Sequence, residues 1–279
     1  MFETMTSKKE PPHIACLKRL DSPLLSTEGR EIVLWELSIP ADVALLSKWA
    51  SQFRQHYCLD SELDTLREGT GLSRKDYLLD LIFPDKNNPP GPSIRAGDFG
   101  EILVSDYLEH VIGYWVPRCK YREKAIRNES VKGVDILGFL MPAPLNPSRT
   151  DTLIAFEVKA QLTGTTYGDR LQNAIDDSSK DYIRRAYSLN ATKRRLIAAG
   201  NNEAATIVQR FQNASDSPYV YRSGAAAVLS ETAFDKDAIQ LSTKVSTHNN
   251  QANLDLLVIR GKDLMELVHA LYERAANEA

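Results

Sequence analysis

The chain has 279 residues, 43% of them hydrophobic and 25% charged, with a formal net charge of −3. Such a composition suits one large or two modest globular domains. No run approaches the roughly 18 apolar residues of a membrane span, and a slightly acidic total offers no overall cationic field for nucleic acid, so any such site must be local. Met1–Pro12 lacks the apolar core of a secretory signal. Cys16, Cys58 and Cys119 are odd in number and widely spaced, which fits reduced thiols in a cytoplasmic protein and neither a disulfide framework nor a zinc site.

In chain order, Glu31–Leu37 reads as a strand and Asp42–Tyr57 as an amphipathic helix with Val43, Leu46, Trp49, Ala50 and Phe53 on one side. Trp35 and Trp49 suit core positions better than binding ones. Ser73 caps a short helix through Leu79. Phe83–Pro92 holds four prolines, a glycine and two asparagines, which forbids continuous helix or central strand. We place a boundary there, with residues 1–92 as a small α+β unit suited to docking a partner and 93–279 as the main domain. Beyond it, Gly97–Val111 reads as a helix with Phe99, Ile102, Leu103, Leu108 and Val111 as its apolar set. Strands follow at Tyr114–Val116, Gly133–Leu140 and, after a turn over Pro142–Ser148, Leu153–Gln161. Helices at Leu171–Tyr187 and Thr192–Phe211, strands at Gly224–Leu229 and Leu254–Ile259, and a helix at Asp263–Ala276 complete the pattern. The order α-β-β-β-α-β predicts an α/β (α+β) fold with a mixed central sheet flanked by helices.

The chemistry concentrates on Leu153–Gln161. Side chains alternate along a strand, so Glu157, Lys159 and Gln161 share one face while Phe156, Val158 and Ala160 pack on the other. A carboxylate and an ammonium side by side in an apolar strand cost free energy unless they pair or meet a metal. An acid-x-Lys triplet is weak by itself, since about two would arise by chance in such a length. Here it occurs once, within a buried strand. Asp135 stands in the preceding apolar strand, one hairpin away, so that two carboxylates meet. Ala96-Gly97-Asp98-Phe99-Gly100-Glu101 opens the preceding helix with small residues that allow close packing on the sheet, and makes Glu101 a third candidate acid. Asp98 and Glu101 are equally explained, taken singly, as acids favoured by a helix N-terminus.

Gly100-Glu101, Gly133-Val134-Asp135 and Phe156-Glu157-Val158-Lys159-Ala160-Gln161, in this order of elements, resemble the PD-(D/E)xK nuclease superfamily over about Arg95–Leu229. Val134 stands where the nominal motif has proline. Within the superfamily, the N-terminal unit, the start of the Gly97 helix and Asn173–Ser178 resemble the HamA family, the nuclease subunits of bacterial Hachiman anti-phage defence systems. The resemblance implies that Asp135, Glu157 and the Val158 carbonyl hold Mg²⁺ or Mn²⁺, with Glu101 binding directly or through water. Lys159 is implied to orient or deprotonate the attacking water or to stabilise developing charge, and Gln161 to position water or phosphate, although a bystander role suits Gln161 as well. It further implies DNA as substrate, endo- or exonucleolytic cutting, and a superfamily 2 helicase partner (HamB-like), since the chain has no ATPase motif of its own.

Arg118, Lys120, Arg122, Lys124 and Arg127 give five cations against one anion, Glu123, and the even spacing from Arg118 to Lys124 puts four on one strand face, a row able to follow a phosphate backbone or simply to face solvent. Arg184, Arg185 and Lys193-Arg194-Arg195 form a second cluster on helices. Two competing functions stand beside the nuclease. A catalytically silent subunit could use the same fold for nucleic-acid binding or docking. A two-carboxylate hydrolase of another substrate would leave Lys159 without a task.

Overall fold

The computed structural model describes residues 10–143 and 146–279. The N-terminal stretch 1–9 and positions 144 and 145, inside the expected 142–148 turn, lie outside the described residues. A mixed sheet forms the middle layer. Strands β1 (Leu17–Arg19), β2 (Leu24–Leu25), β3 (Glu31–Leu37), β4 (Ile136–Leu140), β5 (Thr152–Gln161), β6 (Val220–Ser230) and β7 (Leu254–Gly261) contribute to it. Its order is β1-β3-β7-β6-β5-β4, with β2 also on β3. The run β3, β7, β6, β5 is parallel, whereas β1, β2 and β4 pair antiparallel at the edges.

Helices cover both faces, which is why the central strands are nearly continuous apolar runs. On one face lie α1 (Val43–Gln55), α4 (Gly91–Asp106) and α9 (Leu264–Asn277), burying Trp49, Phe53, Phe99, Leu103, Leu271 and Tyr272 with Phe156, Val158 and Val228 of the sheet. On the other lie α5 (Arg170–Ser178), α6 (Asp181–Ala198) and α7 (Asn202–Arg210), which bury Leu171, Ile175, Leu189, Leu196 and Val208. Shorter helices α2 (Asp60–Arg67), α3 (Arg74–Tyr77) and α8 (Lys236–Ser242) fill the margins. The strand before the proline loop is therefore a partner of a strand near the end of the chain: β3 pairs with β7. Trp49 is buried, and Trp35 is partly buried against the same core. Among the described residues no helix is long and apolar enough to cross a membrane. All three cysteines are free and buried.

Several boundaries differ from the sequence expectation for local reasons. Tyr114–Val116 forms one antiparallel bridge, Trp115 to Phe139, and no strand. The left-handed Gly113 on one side (φ 91°) and Pro117, which lacks an N–H, on the other confine the pairing. β4 starts at Ile136 instead of Gly133, because Gly133 adopts φ 119° and Asp135 binds the neighbouring strand through its side chain. The two long helices expected between residues 171 and 211 are three. Gly200 (φ 72°) ends α6, and Asn201 caps α7 by accepting from the Ala204 N–H at 3.1 Å.

Candidate active site

Two tight contacts set the geometry. In the β4–β5 hairpin Ile136 pairs with Phe156, so Asp135 lies opposite Glu157 one step beyond the ladder. There the Asp135 carboxylate accepts the Val158 N–H at 3.0 Å, and the Asp135 N–H points at Glu157 Oε1 at 3.4 Å. The side chain thus replaces a ladder bond at the strand end, which leaves the Val158 carbonyl, directed to the same side as its N–H, past the end of β4. On the opposite face α4 packs close: a Cβ on Gly100 would meet the Ala160 side chain at 3.3 Å and Val158 at 3.5 Å. Only a glycine allows that approach without displacement, and it brings the next residue, Glu101, to the strand ends.

The expected division of faces is observed. Phe156 and Val158 belong to the core under α4, with Ala160 packed against it. Glu157, Lys159 and Gln161 meet α5, α6 and the loop after β5. Glu157 is 3% exposed and lies 3.3 Å from Arg184, whose guanidinium also pairs with the fully buried Asp181 at 2.6 Å. Lys159 pairs with Asp177 at 2.6 Å. Gln161 donates to the Thr166 carbonyl at 2.7 Å and accepts from the Gly168 N–H at 2.9 Å, so it fastens the loop leading into α5. Glu101 accepts from Lys120 at 2.6 Å and from the Tyr121 hydroxyl at 2.7 Å. Lys120 also reaches the Asp135 carboxylate at 3.5 Å and the Asp135 carbonyl at 3.2 Å.

The basic row does not form a strand. Tyr121–Glu123 is a 3₁₀ turn, and the segment lies along α4 with its cations turned inward. Arg118 pairs with Asp106 at 2.6 Å and Glu109 at 2.8 Å, Lys120 with Glu101, and Lys124 with Asp98. Arg122 donates to the Arg118 carbonyl at 3.2 Å, and Arg127 pairs with Asp85 at 3.1 Å. Arg118, Lys120 and Lys124 thus meet acids along one helix, α4. Of the second cluster, Arg184 enters the site while Arg195 pairs with Glu123 at 2.9 Å.

Electrostatics mark the site as short of positive charge. Burial, then Asp135 and Asp181, push the Glu157 carboxyl up to about 9. Burial and Asp135 raise Glu101 to about 7, and burial with Asp135 raises Asp181 to about 7 against the pull of Arg184. Lys159 is lowered by burial, but the hydrogen bond and charge of Asp177, with Asp135 and Glu157, outweigh that and raise it overall. Both Asp181 carboxylate oxygens are buried without a well-aligned hydrogen bond. Hard oxygen donors carrying more negative charge than the local cations neutralise are the donor set a divalent cation accepts. Asp135 and Glu157 fit such an ion, while Glu101 is engaged by Lys120. Consistent with that engagement, among the described residues no three His, Cys, Asp or Glu side chains are arranged as a ready metal cage.

A family model for HamA matches residues 14–275. The chain belongs to the HamA family. Membership bears out the resemblance to this family drawn from the N-terminal unit, the start of the Gly97 helix and Asn173–Ser178, and makes the chain a component of anti-phage defence. No curated protein and no solved structure matches it. Two site residues, Asp177 and Asp181, were missed by sequence reasoning, and Arg184 was read only as part of the second basic cluster. Their signal was available, because Asp177, Asp181 and Arg184 follow at i, i+4 and i+7, the spacing of one helical face.

Proposed function

We propose that this HamA chain is a metal-dependent nuclease that hydrolyses DNA phosphodiesters, acting as the effector of a Hachiman system beside a helicase partner. The observation that carries the reading is the hairpin junction, where Asp135 accepts from Val158 N–H beside the buried Glu157, with Lys159 one side chain further along the same face. Asp135, Glu157 and the Val158 carbonyl would hold Mg²⁺ or Mn²⁺. Bound there, the ion would supply charge neutralisation at a phosphate and a more acidic water.

The remaining work falls to side chains. Lys159, kept cationic by Asp177, is suited to stabilise charge on a phosphoryl oxygen and not to take a proton at its Nζ. Asp177 fixes the direction of that ammonium. Arg184 draws Glu157 and Asp181 together and offsets part of their charge. Gln161 acts by holding the loop before α5, the helix that carries Asp177. The silent-subunit reading has one observation in its favour, the commitment of Glu101 to Lys120 and Tyr121.

Cleavage of DNA by the full chain, alone and with its partner, with Mg²⁺ and with chelator, tests the proposal. Cutting should need the ion and should disappear in Asp135→Ala and Lys159→Ala. Metal-independent cutting, or full activity in either variant, would remove the assignment.

A further inference from the structure

Among the described residues, Lys120 is the one side chain that touches two of the three acids Glu101, Asp135 and Glu157 with a positive charge, at 2.6 Å from Glu101, 3.5 Å from the Asp135 carboxylate and 3.2 Å from the Asp135 carbonyl. Three hard oxygens around one cation form the kind of environment a divalent ion occupies. In two-metal phosphodiester sites two such ions lie roughly 3.5–4 Å apart and share a bridging carboxylate. Here Asp135 is the shared acid. It faces Lys120 through Oδ1 and accepts from Val158 N–H through Oδ2, beside Glu157.

We infer that the Lys120 ammonium stands in the place of a second divalent cation between Glu101 and Asp135, so that the site takes one metal ion, at Asp135 and Glu157. The inference rests on the nuclease reading of the site and adds to it the number of ions and the task of Glu101. Glu101 is then a positioning residue that orients Lys120 together with the Tyr121 hydroxyl.

The backbone supports a fixed cation and not a stray counter-ion. The segment carrying Lys120 is fastened to α4 on both sides, through Arg118 to Asp106 and Glu109 and through Lys124 to Asp98, and its neighbours Cys119 and Tyr121 are buried. An ammonium tethered at three rungs cannot drift away as ionic conditions change. Glu101 takes the ammonium and the Tyr121 hydroxyl on the same oxygen, Oε2, so the hydroxyl helps to hold the carboxylate against Lys120. A single positive charge in that place also leaves the acids partly uncompensated, in keeping with a site that still admits one ion.

The test is metal stoichiometry in the full chain, read by Mn²⁺ titration followed by electron paramagnetic resonance and calorimetry. One Mn²⁺ per chain is expected for the wild type and for Lys120→Arg, rising to two in Lys120→Met, with spin coupling between the ions in that variant alone. Two coupled ions in the wild type would overturn the inference without help from any variant, which covers the case of a Lys120→Met chain that fails to fold. A folded Lys120→Met chain that still binds one ion would overturn it as well. No binding at all in the wild type would instead remove the metal-site reading itself, and the inference with it.

Discussion

The β5 strand and the basic segment Arg118–Arg127 carry the same kind of sequence signal, polar or charged residues at every second position, and the structure treats them in opposite ways. In β5 the intervening Phe156, Val158 and Ala160 pack on α4, so the alternation is anchored by apolar burial on one face and Glu157, Lys159 and Gln161 are delivered to the other. In the basic segment the pattern is not backed by a strand partner. Pro117 interrupts pairing after Trp115, and Arg118, Lys120 and Lys124 find acids on α4 instead. Periodic charge names a face only where periodic burial defines the element. Where it does not, the spacing of the charges reflects the spacing of their partners.

The largest expected effect tests the β5 half of this comparison. Asp135→Ala and Lys159→Ala should each lower Mg²⁺-dependent DNA cleavage by about a thousandfold, with thermal unfolding close to that of the wild type for Lys159→Ala, whose ammonium is partly exposed. An unaltered rate in single-turnover assays would mean that β5 delivers these groups to no reaction.

Next in size is a test of the basic segment. Asp106 is 3% exposed and shared between Arg118 and His13, which lies 3.0 Å from it and stacks on Trp49. Burial works against its ionisation, yet Arg118 and His13 hold the carboxyl well below its ordinary range. Arg118→Ala leaves that charge half-compensated in the interior and should destabilise the chain by about 3 kcal/mol in urea unfolding. A residue that tracked phosphate would give the reverse, unchanged stability with a shallower salt dependence of DNA binding.

A third prediction concerns pH. The Glu157 carboxyl, ordinarily near 4.5, is held at about 9 in the fold, so between those values the folded chain keeps a proton that the unfolded chain releases. Stability of the metal-free protein should therefore fall as pH rises through this window, because the native state binds more protons there. Glu101, raised to about 7, acts in the same direction. Melting temperatures should drop by several degrees from pH 6 to pH 9 in chelator, and Glu157→Gln should flatten the slope. An identical slope in that variant would show that Glu157 does not hold the proton.

What could be read from the sequence divides along the same line. β5, the hairpin to Asp135 and the flanking helices were legible because burial and turns are written locally, and the glycine before Glu101 announced its close approach to the sheet. The α6 contribution was legible only as the shared spacing of Asp177, Asp181 and Arg184, since the long helix expected over 171–187 concealed the break at Ser179-Lys180 between α5 and α6. The ladder between the basic segment and α4 depends on contacts across 9 to 26 residues of chain, which no local pattern reports.

The smallest effect separates the two halves of β5 itself. Gln161 shares a face with Glu157 and Lys159, but its amide is spent on the backbone of Thr166 and Gly168. A Cβ on Gly168 would already stand 3.1 Å from Gln161 Oε1, so the loop closes tightly on that side chain. Gln161→Ala should cost about 1 kcal/mol or less in stability and should slow cleavage only a few-fold, through looser placement of Asp177 and hence of Lys159. A loss as deep as that of Lys159→Ala would instead put the Gln161 amide on the substrate, and would extend the working face of β5 by one more residue than the hydrogen bonds of the loop suggest.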